Sequence, residues 1–137
     1  MIVMHRPDQR SDARERALYL LYEAHSKGIA PAATIDLQVV EPDELTQQLV
    51  LGVGRMIESL DERIAAKAKG WTLARMPVLD LNVMRLGVYE LLERSDVPTA
   101  VVLNEAVELA KRFSTDDSGR FVNGVLASVA AEVRPSA

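Results

Sequence analysis

Apolar residues recur at helical spacing through the last third of the chain. One stripe follows the spacing of a single buried helix face. Its members are Val122, Val125, Leu126, Val129 and Val133. An earlier stripe begins behind Pro98, whose fixed backbone suits the first turn of a helix. Positions 114–119 between the stripes are short and polar, which favours a tight connection. The pattern predicts helices from Pro98 and from Asp117, with a frayed tail from Arg134.

Two further helices are indicated in the first half of the chain. Asp12 is a candidate N-cap with Glu15 three residues later, as in a capping box, and Gly28 is the predicted end of this helix. Apolar positions behind Asp43 keep helical spacing for several turns and predict a long second helix. The intervening segment, 31–42, is poorly patterned, so a short helix and an extended stretch both stay open.

Two glycines, Gly52 and Gly54, interrupt the long helix. Each costs roughly 1 kcal/mol relative to alanine, which indicates that a neighbouring helix approaches closely there. A phosphate-binding loop is the alternative, but no strand precedes these glycines and no lysine follows them.

A nearly continuous apolar run, 78–92, follows Pro77. A helix that is apolar on nearly every side is buried, so this run predicts a central helix. Glu90 falls among its apolar residues, and we expect an arginine partner because an unpaired buried charge is costly. The elements together predict an all-α fold of two packed helical bundles with about seven helices. An amino-terminal subdomain would span 1–70 and a carboxy-terminal subdomain 71–137.

Composition agrees with a helical chain. Its 137 residues suffice for one domain or two closely packed subdomains. Only 4% are aromatic, and strand-forming residues are scarce outside the helical patterns. The absence of cysteine excludes disulfides, thiolate zinc sites and cysteine nucleophiles. No apolar run approaches the ~20 residues needed to span a bilayer. We therefore expect a soluble cytoplasmic protein.

The charge balance limits how nucleic acid could bind. A net charge of −4 and a pI near 5.2 argue against binding by bulk electrostatics. Any RNA contact would need a local patch, and the amino-terminal arm is the candidate. Its cations are His5, Arg6, Arg10, Arg14 and Arg16, and its interrupting acids are Asp8, Asp12 and Glu15.

Groups that could carry catalysis are scarce. His5 and His25 lack the spacing of metal ligands. Glu105 and Glu108 share one side of a helix, but no His or Lys nucleophile joins them from a recognisable motif, so a solvated face is preferred. The sequence predicts no enzyme activity, no catalytic residue, no metal and no cofactor.

The aromatic residues divide into two groups. Trp71, Tyr89 and Phe113 follow the packing faces and are expected in the core. Phe121 lies roughly a third of a turn from the last apolar stripe, beside Arg120. An exposed ring next to a cation can stack an unpaired base, which contributes roughly 1 to 3 kcal/mol. The alternative is that this ring covers the seam between the bundles, and both stay open on physical grounds.

Two runs rich in specific polar residues resemble the NusB family of bacterial transcription antitermination factors. They are Asn-Glu-Ala-Val-Glu-Leu-Ala-Lys over 104–111 and Phe-Val-Asn-Gly-Val-Leu over 121–126. The resemblance extends to Ala-Arg-Glu-Arg-Ala-Leu over 13–18 and to the Asp-Val-Pro turn at 96–98, and it covers almost the whole chain. Within it, the segment 29–69 is similar in helical pattern only.

The resemblance implies a factor that pairs with the small-subunit ribosomal protein NusE and recognises the boxA element of nascent ribosomal RNA leaders. That pair joins other Nus factors on RNA polymerase and suppresses premature termination. The RNA-binding positions that it implies here are Arg10, Arg14, Tyr22, Asp117, Arg120 and Phe121. The partner-binding positions that it implies are Asp80, Arg85 and Glu90, with Asp80 expected to be the most exposed.

One departure from the family concerns charge. Ser11 and Asp12 stand where many relatives have consecutive arginines, so we expect weak RNA binding by the chain alone, strengthened by NusE. Asn123 and Gly124 are expected to be structural, the amide bonding a loop and the glycine permitting close helix packing. The alternative function is a protein-interaction module, either NusB-like without boxA binding or related to the helical domain fused to rRNA methyltransferases. A homodimer also stays open.

Overall fold

A computed structural model describes residues 9–135 of the protein. These residues form six α-helices and one 3-10 turn, and no strand lies among them. The helices are α1 (Gln9–Lys27), α2 (Pro31–Asp36), α3 (Glu44–Lys67), α4 (Val78–Glu93), α5 (Thr99–Phe113) and α6 (Asp116–Val133), with the 3-10 turn at Leu73–Arg75. The predicted all-α class is confirmed. No described helix has the length and apolar character needed to cross a membrane.

Local sequence signals explain most of the helix ends. Gly28 has a φ of +64°, a conformation that favours glycine, and it ends α1 as predicted. Asp43 caps α3 by accepting a hydrogen bond from the Thr46 backbone N–H at 3.2 Å. Burial by itself would raise the pKa of the Asp43 carboxyl, but the hydrogen bonds from Thr46 outweigh burial and lower it. The predicted N-cap at Asp12 is wrong, because α1 already includes Gln9.

Two connections differ in detail from their predictions. Of the alternatives open for 31–42, the first six residues form the short helix α2, and a loop follows. The tight connection after α5 comprises only Ser114 and Thr115, since α6 begins at Asp116. Thr115 is the N-cap, with its hydroxyl oxygen accepting from the Ser118 backbone N–H at 3.0 Å.

The helix α4 is the centre of the molecule. It packs against α1, α3, α5 and α6, and eleven of its sixteen residues are buried. A Cβ at Gly52 of α3 would lie 2.2 Å from a ring carbon of Tyr89, and one at Gly54 would lie 3.3 Å from Pro31 of α2. The close approach expected at both glycines is confirmed, and the predicted burial of α4 is confirmed with it.

The hydrophobic core runs through both halves of the chain, because α4 packs on α1 and α3 as well as on α5 and α6. The expected boundary between residues 70 and 71 falls in the connection from α3 to the 3-10 turn. The division into subdomains 1–70 and 71–137 stays a prediction.

Arg134 corrects the expected fraying of the tail. Its guanidinium donates to the carbonyl oxygens of Leu91 at 3.0 Å, Arg94 at 2.8 Å and Val97 at 2.6 Å. It also donates to the Glu90 carbonyl at 3.1 Å. The Glu90 and Arg94 carbonyls also accept backbone hydrogen bonds, from the N–H groups of Arg94 and Val97. The guanidinium of Arg134 thus connects the end of α6 to the end of α4 and to the loop that follows it.

Candidate nucleic-acid interface

Arg14 lies in the interior of the helical bundle. It is 3% exposed, and its Nε and Nη2 atoms donate to the Glu90 carboxylate at 2.8 and 2.9 Å. Its Nη1 atom donates to Glu105 Oε1 at 3.1 Å. The expected arginine partner of Glu90 is therefore confirmed and comes from α1. Two carboxylates of the protein hold the Arg14 guanidinium in the interior, and its expected RNA contact stays a prediction.

A wider polar network surrounds this pair. The Ser11 hydroxyl donates to Glu105, and Arg94 Nε lies 3.9 Å from Glu90 Oε1. The network joins α1, α4 and α5, so it fixes how α1 lies on the other two helices. Glu105 belongs to it and does not share the expected solvated face, whereas Glu108 is exposed.

Asp80 is buried, contrary to the expectation that it would be the most exposed partner-binding position. It is 3% exposed, and its Oδ2 atom accepts a hydrogen bond from the Ser118 hydroxyl at 2.8 Å. The physical reason is that the first turn of α6, which carries Ser118, covers the first turn of α4. Asp80 is therefore not positioned as a free surface charge.

Arg85 and Glu90 are also engaged within the protein. Arg85 donates from Nε and Nη2 to the two carboxylate oxygens of Asp61, each at 2.8 Å, and from Nη1 to Asn82 Oδ1 at 3.1 Å. This bidentate contact connects α4 to α3. Glu90 is occupied by Arg14, so the three expected partner-binding residues hold α4 in place and present no free charged group.

Five of the six expected RNA-binding positions are accessible. Arg10 and Tyr22 are exposed on α1, the latter by 45%. Asp117 and Arg120 are exposed in the first turns of α6 and form an ion pair with each other. Phe121 follows them and is half-buried at the edge of the core. The structure therefore presents two accessible groups, one on α1 and one at the start of α6.

The exposed side of α1 reaches the end of α5. The Tyr19 and Phe113 rings meet edge to face with centroids 5.4 Å apart. Arg112 lies 5.0 Å from the Phe113 centroid and donates to Glu15 Oε1 at 2.6 Å. The sequence predictions missed Tyr19, which is 50% exposed, and Arg112. The available signal for Tyr19 was its position three residues before Tyr22 on one helix face.

The arm expected to carry the cations is described only in part. His5, Arg6 and Asp8 lie outside the described residues. Of the remaining arginines, Arg16 is half-buried and donates from Nη2 to the Val40 carbonyl at 2.8 Å.

An aromatic pair marks the start of α6. Trp71 is 51% exposed, so its predicted place in the core is wrong, and its ring centroid lies 5.8 Å from that of Phe121. Tyr89 is buried as predicted, and Phe113 packs at the edge of the core. A groove of about 310 Å³ opens beside the pair. Its lining residues are Trp71, Pro77, Asp80, Thr115, Asp117, Ser118 and Phe121.

Asn123 and Gly124 are exposed, so their expected structural roles are wrong. Among residues 9–135, a Cβ at Gly124 would meet no atom within 4 Å, so none of the described helices approaches it closely. Together with Arg120 and Ala127 they fall at the i, i+3, i+4 and i+7 positions of one exposed face of α6. This face continues the accessible surface that begins at Arg120.

Within residues 9–135, no group of three or more His, Cys, Asp or Glu side chains is placed to hold a metal ion. The accessible surface instead combines aromatic rings with cationic side chains, an arrangement typical of single-strand nucleic-acid binding. Fold and surface together define a small all-α protein with an accessible aromatic and cationic surface.

Sequence comparison assigns the family. The model of the NusB family matches residues 11–131. The transcription antitermination protein NusB of Saccharopolyspora erythraea is 51% identical over 127 residues, which cover 88% of this chain and 86% of that protein. The one from Streptomyces avermitilis is 45% identical over 136 residues, covering 93% and 94%. The chain belongs to the NusB family, as the two polar-rich runs predicted.

Solved structures agree with this assignment. NusB of T. maritima superposes with a TM-score of 0.82 at 29% identity, covering 93% of this chain and 94% of that one. A NusB chain in the crystal structure of the antitermination factors NusB and NusE in complex with dsRNA superposes with a TM-score of 0.77 at 26% identity, covering 90% and 96%. The all-α fold of this chain is the fold of these solved structures.

Proposed function

We propose that the protein is a non-enzymatic transcription antitermination factor of the cytoplasm that binds the boxA RNA of ribosomal RNA leaders together with ribosomal protein NusE. It would act with other Nus factors on RNA polymerase to keep rRNA transcription processive. The observation that carries this proposal is the accessible cluster of Trp71, Arg120 and Phe121 at the start of α6. Its relatives named as antitermination proteins, and the neighbour solved with NusE and dsRNA, support it.

The RNA surface in this proposal comprises Arg10 and Tyr22 on α1 with Asp117, Arg120 and Phe121 on α6. Arg14 acts by position, because its ion pairs hold α1 against α4 and α5. The three expected partner-binding residues would likewise act by position. Asp80, Arg85 and Glu90 would hold α4 in its orientation, and exposed side chains around α4 would contact NusE.

The negative charge of the chain supports a role of NusE in RNA binding. The chain carries a net charge of −4, and the exposed Asp12 lies near Arg10 in sequence at the start of α1. A basic ribosomal protein would complement the acidic chain and add cations near the RNA phosphates. Binding by the complex should therefore exceed binding by either component.

The test is a titration of a short boxA-like RNA with the chain, with NusE and with an equimolar mixture at fixed salt. We expect weak binding by the chain alone and tighter binding by the mixture, with a scrambled RNA of equal length as control. Heterodimer formation without any gain in RNA affinity would contradict the proposal and favour the protein-interaction module.

A further inference from the structure

The turn between α2 and α3 projects aliphatic side chains into solvent. Leu37 is 55% exposed, Val39 102% and Val40 69%. Exposed apolar residues that stand singly are ordinary, but contiguous ones mark interaction surfaces. These three lie within the four successive residues 37–40. Together they form one apolar surface, termed the aliphatic turn.

Polar contacts hold the aliphatic turn in place, although its three apolar side chains are not buried. Arg16 of α1 donates to the Val40 carbonyl at 2.8 Å, and the Gln38 side chain donates to a carbonyl of α2 at 2.9 Å. Pro42 is buried, and its carbonyl accepts from Gln47 Nε2 at 2.8 Å. A surface that is ordered before binding loses less conformational entropy when a partner arrives. The aliphatic turn is therefore preorganised for contact.

Carboxylates surround the aliphatic turn. The side chains of Asp36, Glu41, Asp43 and Glu44 are all exposed. Within residues 9–135, none of these four forms an ion pair. Arg16, which donates to the backbone of the turn, offsets one of the four charges. The surface is therefore apolar at its tip and acidic around it.

This charge decides which occupant fits the surface. The carboxylates would repel RNA phosphates and anionic lipid headgroups. A second copy of the chain in a two-fold contact would place the same carboxylates against each other. A protein segment that alternates aliphatic and basic side chains would bury the apolar tip and face the carboxylates with cations.

We propose that the aliphatic turn docks a basic, aliphatic segment of a partner protein. The turn follows α2, which packs mainly against α1 and α3. The expected partner-binding residues Asp80, Arg85 and Glu90 lie on α4 instead. The inference adds a separate protein-binding surface to those of the proposed function, and it does not depend on RNA binding.

The test uses a defined peptide as the probe. A fluorescently labelled peptide of alternating leucine and lysine is titrated with the full chain, and fluorescence anisotropy reports binding. A peptide of the same length and charge, with serine in place of leucine, is the comparison. We expect the serine peptide to bind at least about tenfold more weakly, because burial of one leucine side chain is sufficient for that factor. Higher salt should weaken binding of the leucine peptide, since exposed charges are screened.

Matched variants assign the binding to the aliphatic turn. Val39→Thr together with Val40→Thr keeps the shape and charge of the turn but adds a hydroxyl to each side chain, so the leucine peptide should bind about tenfold more weakly. Val101→Thr makes the same change at a valine of α5 that is 40% exposed, and it should leave peptide binding unchanged. Thermal unfolding checks the fold of both variants. Unaltered affinity of the double variant, or an equal loss in Val101→Thr, would overturn the inference.

Three further outcomes would assign the surface to another occupant, and each would overturn the inference. Sedimentation that shows a dimer for the unaltered chain and a monomer for the double variant would make the surface a contact between copies. A large gain in peptide affinity for Ile2→Ser together with Val3→Ser would assign it to the chain's own residues 1–8, which lie outside the described residues. Loss of NusE-dependent RNA binding in the double variant would make it part of the complex already proposed.

The peptide titration also separates this inference from the proposed function. RNA binding in the presence of NusE, together with no binding of the leucine peptide, would overturn the docking surface and leave the proposed function standing. Peptide binding that the double variant weakens, together with no RNA binding in the presence of NusE, would support the docking surface and contradict the proposed function.

Discussion

Arg14 and Arg120 carry the same guanidinium in opposite surroundings. The first is 3% exposed and bonded to Glu90, while the second is exposed and pairs with the exposed Asp117. The sequence contained a signal for this difference, because Arg14 lies four residues before the fully buried Leu18, on the apolar face of α1. Charge alone suggested a phosphate contact for Arg14, whereas its position on the helix indicates an intramolecular ion pair.

Removing the cation of this buried pair should destabilise the fold. Arg14→Met leaves the Glu90 carboxylate without its two-pronged partner, and breaking such a pair costs about 3 to 5 kcal/mol. Chemical denaturation should show that loss, while Arg120→Met should change the free energy of unfolding by no more than about 0.5 kcal/mol. An unchanged denaturation midpoint for Arg14→Met would show that the network does not hold α1 in place.

The position of Phe121 is compatible with both of the roles that the sequence left open. It packs on the edge of the core and also faces Trp71 in the groove. Phe121→Ala should lower RNA affinity by roughly 1 to 3 kcal/mol, with a smaller loss of stability than the roughly 3 to 5 kcal/mol typical of a fully buried phenylalanine. RNA titration and thermal unfolding on one sample measure both. The fully buried Val122 is the control: Val122→Ala should reduce stability and leave RNA binding intact, and the opposite pattern would remove Phe121 from the RNA site.

At the scale of elements, the periodic pattern was sufficient for the long helices. Single residues determine some of the helix ends: the positive φ of Gly28 ends α1, and the side chain of Asp43 caps the start of α3. The pattern was insufficient where a second element decides the outcome. Asp80 is buried by the first turn of α6, and Trp71 lies outside the core although its neighbours in sequence suggested packing. Periodicity gives the faces of one helix but not which other helix covers each face.

Arg134 is the clearest case of a contact between element ends. Its donors reach four carbonyl oxygens between Glu90 and Val97, at the carboxyl end of α4. Arg134→Ala should lower the free energy of unfolding by about 1 to 3 kcal/mol, because the Leu91 and Val97 carbonyls lose the side-chain donor. The substitution should also speed hydrogen exchange in the last turn of α4. Ser128 is exposed, so Ser128→Ala serves as the control. Equal exchange rates in both variants would show that Arg134 does not stabilise the end of α4.

At the scale of the whole molecule, binding must use local features because the net charge is −4. Of the six RNA-binding positions that the resemblance implies, five are accessible. The sequence analysis missed Trp71 as a surface ring and Tyr19 beside Tyr22. It also placed the partner surface on α4, whose charges are satisfied within the protein. Charges on a central helix cannot be assigned to a surface before the helices that cover it are known.

The amino-terminal end of α1 should set the salt dependence of RNA binding. Asp12 is exposed there, in the same helix as Arg10 and Tyr22, and it repels phosphates that approach them. Asp12→Arg should strengthen RNA binding and steepen the slope of log affinity against log salt by about 0.7 for each further phosphate of a single strand that the protein neutralises. Asp36→Arg makes the same change in net charge on α2 and should leave the slope unaltered, since the slope depends on the phosphates that the protein touches. Titrations at several salt concentrations measure both slopes, and an equal change in the two variants would mean that overall charge, rather than the start of α1, governs binding.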